Sequence, residues 1–584
     1  MSVILRDDSN ATATLLEGAG YALGDVSGSV SLDEGGAPHV VGALTIPLPA
    51  DAELLELLDP RQHRRVRIDV TRERVDGFGS ITSRSFDLGL READIDEAAA
   101  TMQLRLESDE ALAMDDVLLA DEPVSMHAYQ GSIRSLVDAV LARIGAALEP
   151  GAPDPSIQTT SDATNLMTNP SAETSLANAA AAFVTLTRSN AWAAAGAGAW
   201  SFQLAAPFGA DNYLEIGGND TAHRLGMRAG GTYTVAGTIR QTGAVGSAVA
   251  SARTIRVVGR DQTGTPVQIG QSAAAPDAAG VTRVSLTFTI PDGYQGSSIR
   301  WYHGGTSGTV WWDALSLREV RDAEDADPTD TVYFDGATAD STDYEYAWAG
   351  TAGESASTRL ALVDRPVASL WWEPGRSAWE FLSPIVQAAG LRLFCDEARD
   401  WRLVDGAGYV APGMTQLTQG VHLTSARTSV SRDGDWFDAA LVRYRWRQSD
   451  GTQAERIDWY AEPGYTRART FDIAAPYPGP GRARYKVTRA EGLGRTATVE
   501  APLDLAIVPS QALRLTLPDI PELFGLTRSV EHDLDTFTSR IESRGLTDVP
   551  PGAWVLVDPA LVWNDAPPAL VWADATPDDS TIFD

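Results

Sequence analysis

Runs that alternate apolar with polar or small residues recur along most of this chain. A period of two admits little besides strands with one buried and one wet face. Within residues 1–125 it appears in Gly28-Ser29-Val30-Ser31-Leu32-Asp33, Val66-Arg67-Ile68-Asp69-Val70-Thr71 and Met102-Gln103-Leu104-Arg105-Leu106-Glu107. Gly35-Gly36-Ala37-Pro38 supplies a turn signal. Residues 165–319 are rich in Ala, Gly, Thr and Ser and poor in charge, with strand candidates at 232–239, 253–259, 281–290 and 310–317 between Gly or Asp turns. About eight short strands so spaced predict a β-sandwich of jelly-roll type. Residues 391–545 return to strands, including 439–446, 496–500, 513–517 and 527–544.

Two stretches break the period. Ile133, Leu136, Val137, Val140, Leu141, Ile144 and Leu148 fall at helical spacing, with Ser132 placed to cap the start. A linker, Glu149-Pro150-Gly151-Ala152-Pro153-Asp154-Pro155, follows. At 377–390, Ser377 and Glu380 form a helix-start box; Trp379, Leu382 and Val386 share a face, and Gly390 closes the helix. Pro384 predicts a kink or a separate first turn there, because it lacks the backbone donor.

The length of 584 residues predicts several domains, at roughly 150 residues each. Acidic segment 321–328 reads as a solvated linker, and 333–359 as an aromatic-pinned loop or small ribbon. Near the end, Pro559-Ala560-Leu561-Val562-Trp563 recurs as Pro568-Ala569-Leu570-Val571-Trp572, which suits an extended arm docked on a neighbour. Forty-six cationic against 79 acidic side chains leave a formal charge of −33, which repels duplex nucleic acid at long range. Arg61, Arg64, Arg65 and Arg67 form a local basic run, read as a solvated strand face. Lys486 is the lone lysine, a coding bias toward arginine rather than chemistry. No apolar run of about 18 residues predicts a membrane span, and the first residues lack the basic and apolar regions of a secretory signal.

Catalytic motifs are scarce. The single cysteine, Cys395, lies in a half-buried strand pattern and reads as a small core residue. The seven histidines show no metal-ligand spacing, and neither a Gly-x-Ser-x-Gly elbow nor a Walker loop occurs. Gly20, Gly24 and Gly28 are loop glycines without a following helix. Carboxylates are too numerous for any pair to mark a hydrolase. The aromatics are more informative: Trp192, Trp200, Tyr213, Trp301, Tyr302, Trp311 and Trp312 all fall inside the sandwich segment. Flat rings stack on the apolar faces of sugars while Asn, Asp and Arg bond the hydroxyls. Core packing is the alternative for each ring; in Trp311-Trp312 the period sends one indole inward. Trp301-Tyr302, beside Gly304-Gly305, is the candidate with a loop-like setting.

Residues 165–319 resemble jelly-roll carbohydrate-binding modules of bacterial xylanases and glucanases. Asn165-Leu166-Met167-Thr168-Asn169-Pro170-Ser171-Ala172-Glu173 is similar to their opening strand, although an aromatic usually stands where Ala172 does. Trp312-Asp313-Ala314-Leu315-Ser316-Leu317 is similar to their closing strand. The resemblance implies a structural calcium held by Glu173 and Asp313. The remainder resembles minor tail proteins of actinobacterial phages with long non-contractile tails. The patches are Val30-Ser31-Leu32-Asp33-Glu34, residues 43–49 and 57–61, Tyr333-Phe334-Asp335-Gly336 through 359, residues 375–405, and Val530-Glu531-His532-Asp533-Leu534 with Arg544-Gly545, in the expected order.

These resemblances imply a mainly β, multidomain chain in which tail-hub β-barrel or α+β domains carry an inserted jelly-roll sandwich. The expected division is 1–125 (hub β domain), 126–159 (helix and linker), 160–320 (sandwich), 321–365 (linker and return), 366–410 (helix plus hairpin), 411–548 (hub β domain) and 549–584 (arm). They further imply a non-enzymatic homotrimer at the virion tail tip. Its partners would be the tape measure, distal tail and neighbouring minor tail proteins, together with host cell-wall polysaccharide, and it would bind no nucleic acid. A tail-associated wall hydrolase and a purely structural adaptor are the alternatives.

Overall fold

The computed structural model describes residues 6–18, 20–75, 80–205, 212–216, 225–320, 332–432, 435–447, 451–518 and 520–548. The expected acidic linker at 321–328 and C-terminal arm at 549–584 lie outside the described residues. The chain is mainly β and multidomain, and it divides into two compact units. One comprises 1–158 with 370 onward apart from 449–451; the other is Thr159–Ser369 with 449–451. No helix among the described residues is long and apolar enough to cross a membrane.

In the first unit, alternation becomes a 13-stranded sheet. The strands Arg6–Leu15, Tyr21–Asp25, Ser27–Asp33, Val40–Pro47, Arg65–Val75, Ser80–Asp96 and Thr101–Glu107 curl round one core, to which Leu15, Val30, Leu44, Ile68, Phe86 and Leu106 contribute. The expected barrel is not closed. Ser27–Asp33 pairs Val40–Pro47 on one side and Leu523–Asp533 on the other, so the sheet runs on into the C-terminal strands. Val30 faces His532 and Leu32 faces Val530 in that ladder. The basic run at 61–67 is neutralised in place: Arg61 pairs with Asp59, Arg64 with Glu17, Arg65 with Asp87 and Asp109, and Arg67 with Asp69.

The helices form where the period changed. Ile133–Leu141 is capped by the Ser132 hydroxyl, which accepts from Ser135 N, and a 3-10 turn at Ala142–Ile144 ends it. Ala378–Ala388 begins with the complete Ser377–Glu380 capping box. It continues through Pro384 as one helix, so no separate first turn forms. The Glu380 carbonyl, which would have bonded an N–H at 384, instead accepts from Arg376 Nη2 at 3.0 Å. These helices share a core with the hairpin Leu391–Cys395 and Trp401–Asp405. Cys395 is buried, as a small core residue should be, in a strand buried at every position rather than on one face, and burial with neighbouring carboxylates pushes its thiol far up. A separate sheet, Gln453–Ala461, Ala439–Arg447 and Ala468–Ile473, packs against the helix Arg482–Glu491.

The second unit is a sandwich of two five-stranded sheets. One has the order Ala179–Ala182, Tyr213–Ile216, Gln295–Tyr302, Ile255–Arg260, Pro266–Gln271; the other runs Thr185–Ser189, Ser201–Ala205, Val310–Val320, Thr232–Gln241, Gly280–Thr289. A small sheet of Tyr344–Trp348, Ser357–Ala361 and Ala163–Asn165 pairs the start of this unit with its end. Asn165 fastens that point: its Nδ2 donates to the Leu315 and Phe334 carbonyls, and its Oδ1 accepts from Met167 N and Leu317 N. A buried amide with all these partners satisfied explains why asparagine sits there.

Candidate functional site

Alternation on three adjacent strands of the first sandwich sheet creates the site. Leu214 and Ile216, Ile299 and Trp301, and Ile255 and Val257 all point into the core. The residues between them are left on the outer face. Register then juxtaposes Tyr213 with Tyr302, Glu215 with Arg300, and Arg300 with Arg256. The two phenol rings lie 5.1 Å apart at 46°. Arg300 Cζ sits 4.5 Å from the Tyr213 ring centroid, and Arg256 Cζ sits 5.1 Å from that of Tyr302. Arg256 Nε and Nη2 donate to Gln271 Oε1 at 3.2 and 2.9 Å. Arg300 Nε lies 3.4 Å from Glu215 Oε2. Burial raises the Glu215 carboxyl above its ordinary range, and the positive charge of Arg300 partly restores it.

Rings, forked donors and a carboxylate thus share one sheet face. Guanidinium and carboxylate groups bond vicinal hydroxyls, and arginine over a ring holds the ring in place. Tyr213, Arg256 and Arg300 are half-buried, so they remain reachable, whereas Tyr302 and Glu215 are only 1% and 4% exposed and act by holding Tyr213 and Arg300 from the neighbouring strand. One residue beyond the Ala182–Tyr213 pair, Phe183 is 75% exposed with φ 51. A bulky residue in that left-handed region is strained, and this one recovers nothing through burial. Sequence reading passed over Phe183, Arg256, Arg300 and Glu215. Their signal was the pairing of alternating strands, which one strand alone does not reveal.

The predicted sugar-binding residues separate into three places. Trp301 is 0% exposed and lies in the inter-sheet core, not at a loop. Its indole occupies the space that Gly237 leaves, since a Cβ there would come within 2.9 Å of Trp301 Nε1. It therefore cannot stack on a ligand in this conformation. Tyr302 and Tyr213 meet on the outer face. Trp192 and Trp200 lie elsewhere, in a loop organised by Glu173 and Asp313. Of Trp311 and Trp312 only Trp312 joins the inter-sheet core, as the period predicts, yet Trp311 on the other face is also only 8% exposed. Trp311 is covered because its Nε1 donates to Ser189 Oγ at 3.4 Å and Arg240 lies 5.3 Å from its ring centroid.

The Glu173–Asp313 corner has its own logic. Glu173 Oε1 accepts from Ala199 N and Trp200 N at 2.8 and 2.7 Å. Its carboxylate presses on Gly198, where φ is +102 and a Cβ would come within 2.4 Å. Asp313 Oδ2 accepts from Ala194 N at 2.7 Å, and Oδ1 from Ala314 N at 2.8 Å. Ala314, at φ 50, lies where the ladder to Thr232–Gln241 shifts register, a β-bulge. Arg188 covers the Trp200 ring at 3.8 Å and donates to the Ala172 carbonyl. Burial, reinforced by the charge of Glu173, pushes the Asp313 carboxyl up to about 8. Two carboxylates supply the hard oxygen donors that calcium takes. No group of three or more His, Cys, Asp or Glu positioned for a metal occurs among the described residues, so further ligands would be carbonyls.

No protein-family model matches the sequence, and no curated protein matches it. Among solved structures, a tail protein from Neisseria meningitidis MC58 aligns over 92% of this chain and 96% of its own, at 8% identity and TM-score 0.36. The C-terminal family 22 carbohydrate-binding module of Clostridium thermocellum Xyn10B aligns over 26% of this chain and 92% of its own, at 16% identity and TM-score 0.21. The CBM22-1 xylan-binding domain of Paenibacillus barcinonensis Xyn10C covers 27% of this chain and 96% of its own, at 18% identity and TM-score 0.21. These are resemblances only, and nothing about ligands or assembly passes from them to this chain.

Proposed function

We propose that the sandwich is a glycan-binding module and that the first unit is the scaffold that carries it in a phage tail. The observation that bears most weight is the outer face on which Tyr213, packed on Tyr302, stands among Arg256, Arg300 and Glu215. The ordered patches at 30–34, 43–49, 57–61, 333–359, 375–405 and 530–534 with 544–545 support a minor tail protein of the long, non-contractile type. On this reading the chain sits at the tail tip as a homotrimer and touches host wall polysaccharide during adsorption. Three weak contacts per tip raise the effective concentration for each next contact.

Binding without bond cleavage is part of the proposal. On the described residues of the three strands the outer face carries one carboxylate, Glu215, which is buried, whereas hydrolysis by paired acids needs two. Calcium at Glu173 and Asp313 is a second element. It would supply positive charge to two crowded carboxylates and fasten the loop 192–200 to the closing strand.

The test is retention of the full chain on insoluble host-wall polysaccharide, with Tyr213→Ala and Arg300→Ala alongside. Retention that both substitutions abolish supports the reading. Equal retention of all three proteins removes the face from the account, and release of soluble sugar during the incubation establishes the hydrolase instead. Chelation should lower the unfolding temperature of the native protein and not that of Asp313→Asn. An unchanged native melting curve would discard the metal.

A further inference from the structure

The sheet that bears the proposed glycan face holds four charged residues in its five strands: Arg256, Arg260, Arg300 and Glu215. All four lie on its outer side. Leu214, Ile216, Ile255, Val257, Ile299 and Trp301 alternate with them into the core, and a Cβ at Gly259 would meet Ile269 and Tyr294, which pack on that core. Register sets Glu215, Arg300, Arg256 and Gln271 in one row across four strands. Three cations to one acid runs against a chain in which acids outnumber cations by 79 to 46.

Glu215 answers one of the three. It is 4% exposed, with Arg300 Nε 3.4 Å from its Oε2. Burial raises its carboxyl, and the charges of Arg300 and then Arg260 draw it back down. Arg260 also has Asp261 beside it in the following turn, although Thr263 and Thr265 occupy Oδ1 of that acid. Arg256 has no such partner. Its Nε and Nη2 both go to Gln271 Oε1, and no carboxylate pairs with it among the described residues. A neutral amide oxygen orients a guanidinium without cancelling its charge. Setting Asp261 against Arg260 and Glu215 against Arg300 therefore still leaves Arg256 in surplus.

Two opposing effects act on an approaching anion. The chain's charge of −33 repels it from afar. At about 0.15 M salt, however, exposed charges more than about 8 Å away are largely screened, so at contact the surplus in the row decides. A guanidinium meets a phosphate or carboxylate through paired donors, whereas a hydroxyl offers it a single oxygen.

We propose that this face selects glycans that carry negative charge, as phosphodiester or carboxylate groups, over neutral ones, with Arg256 meeting the charge and Tyr213 the sugar ring. The proposal deepens the glycan reading and rests on it.

Calorimetric titration of the full chain tests it with neutral xylan, polygalacturonate and poly(glycerol phosphate), and with polyglutamate as a polyanion without sugar. At about 0.05 M sodium chloride at least one charged glycan should bind about tenfold tighter than xylan, and about 0.5 M should close most of that gap. Preference for polygalacturonate assigns the charge to carboxylate; preference for poly(glycerol phosphate) assigns it to phosphodiester. Arg256→Gln should cost the charged glycan about tenfold and xylan less. Glu215→Gln releases Arg300 and should sharpen the preference, a change of opposite sign that a folding defect cannot imitate. Xylan bound as tightly as both charged glycans overturns the proposal and leaves the glycan reading standing. So does a preference that both variants leave unchanged. Polyglutamate bound as tightly as the charged glycans overturns it too, because charge without sugar would then suffice. Binding of none of the four polymers overturns the glycan reading and the proposal together.

Discussion

Arginine does different work in the frame of the first unit and on the outer face of the sandwich. In the first, forks are spent on fixing distant backbone. Arg84 pairs with Glu397 and donates to the Leu505 and Ile507 carbonyls, while Arg489 and Arg544 converge on Glu34. On the outer face of the sandwich, Arg300 and Arg256 lie over tyrosine rings, and the one carboxylate there stands 3.4 Å off. A fork closed on a carboxylate has little left to offer a ligand. A fork laid over a ring stiffens that ring and keeps donors near the surface. The difference separates the frame from the proposed recognition face, although both are built from the same residue type on β-strands.

The comparison can be broken most sharply at Trp301. If it belongs to the core, Trp301→Ala should destabilise the sandwich by about 3–5 kcal/mol, read as an early transition in denaturant unfolding. A stable variant that has merely lost glycan retention would return Trp301 to the surface. On the frame side, Glu34→Gln should cost about 3 kcal/mol, because it strands Arg489 and Arg544. An unchanged unfolding midpoint would mean that these pairs fix nothing.

A pH series sharpens the contrast within the sandwich. In the metal-free folded chain, kept so with chelator, burial holds the proton on Asp313 up to about pH 8, whereas in the unfolded chain it is lost near the ordinary carboxylate value of about 4. The folded state therefore binds more protons between those limits, and stability should fall as pH rises through that window. Asp313→Asn should flatten the slope, and an identical slope in the variant would assign it to other groups. The smallest effect is expected at the rim. Phe183→Gly should relieve the left-handed strain and raise stability by about 1 kcal/mol, with weaker glycan retention. A gain in stability with retention intact would make Phe183 a bystander.

Much of the fold was legible because strands and helices announce themselves by period. Ser132, Ser377 and Glu380 cap the helices where the residues predicted it. Two patches quoted from opposite ends of the chain, at 30–33 and 530–533, prove to be hydrogen-bonded neighbours. Pro384 misled because its missing donor is replaced by Arg376, 8 residues away along the chain. The recognition face was only half legible. Tyr213 and Tyr302 were picked out as aromatics, but Arg256, Arg300 and Glu215 acquire meaning only through register across three strands. Trp301 and Tyr302 are adjacent in sequence, so a strand had to send them to opposite faces. Reading the pair as a loop hid that.

The central claim is that recognition lies on the outer sheet face and not at the tryptophan corner. Calorimetric titration of soluble host-wall glycan fragments into the full chain, Tyr213→Ala and Trp200→Ala tests it directly. The account predicts affinity weakened roughly tenfold, about 1.4 kcal/mol, for Tyr213→Ala and unchanged for Trp200→Ala. Loss of affinity in Trp200→Ala with Tyr213→Ala unaffected would contradict it.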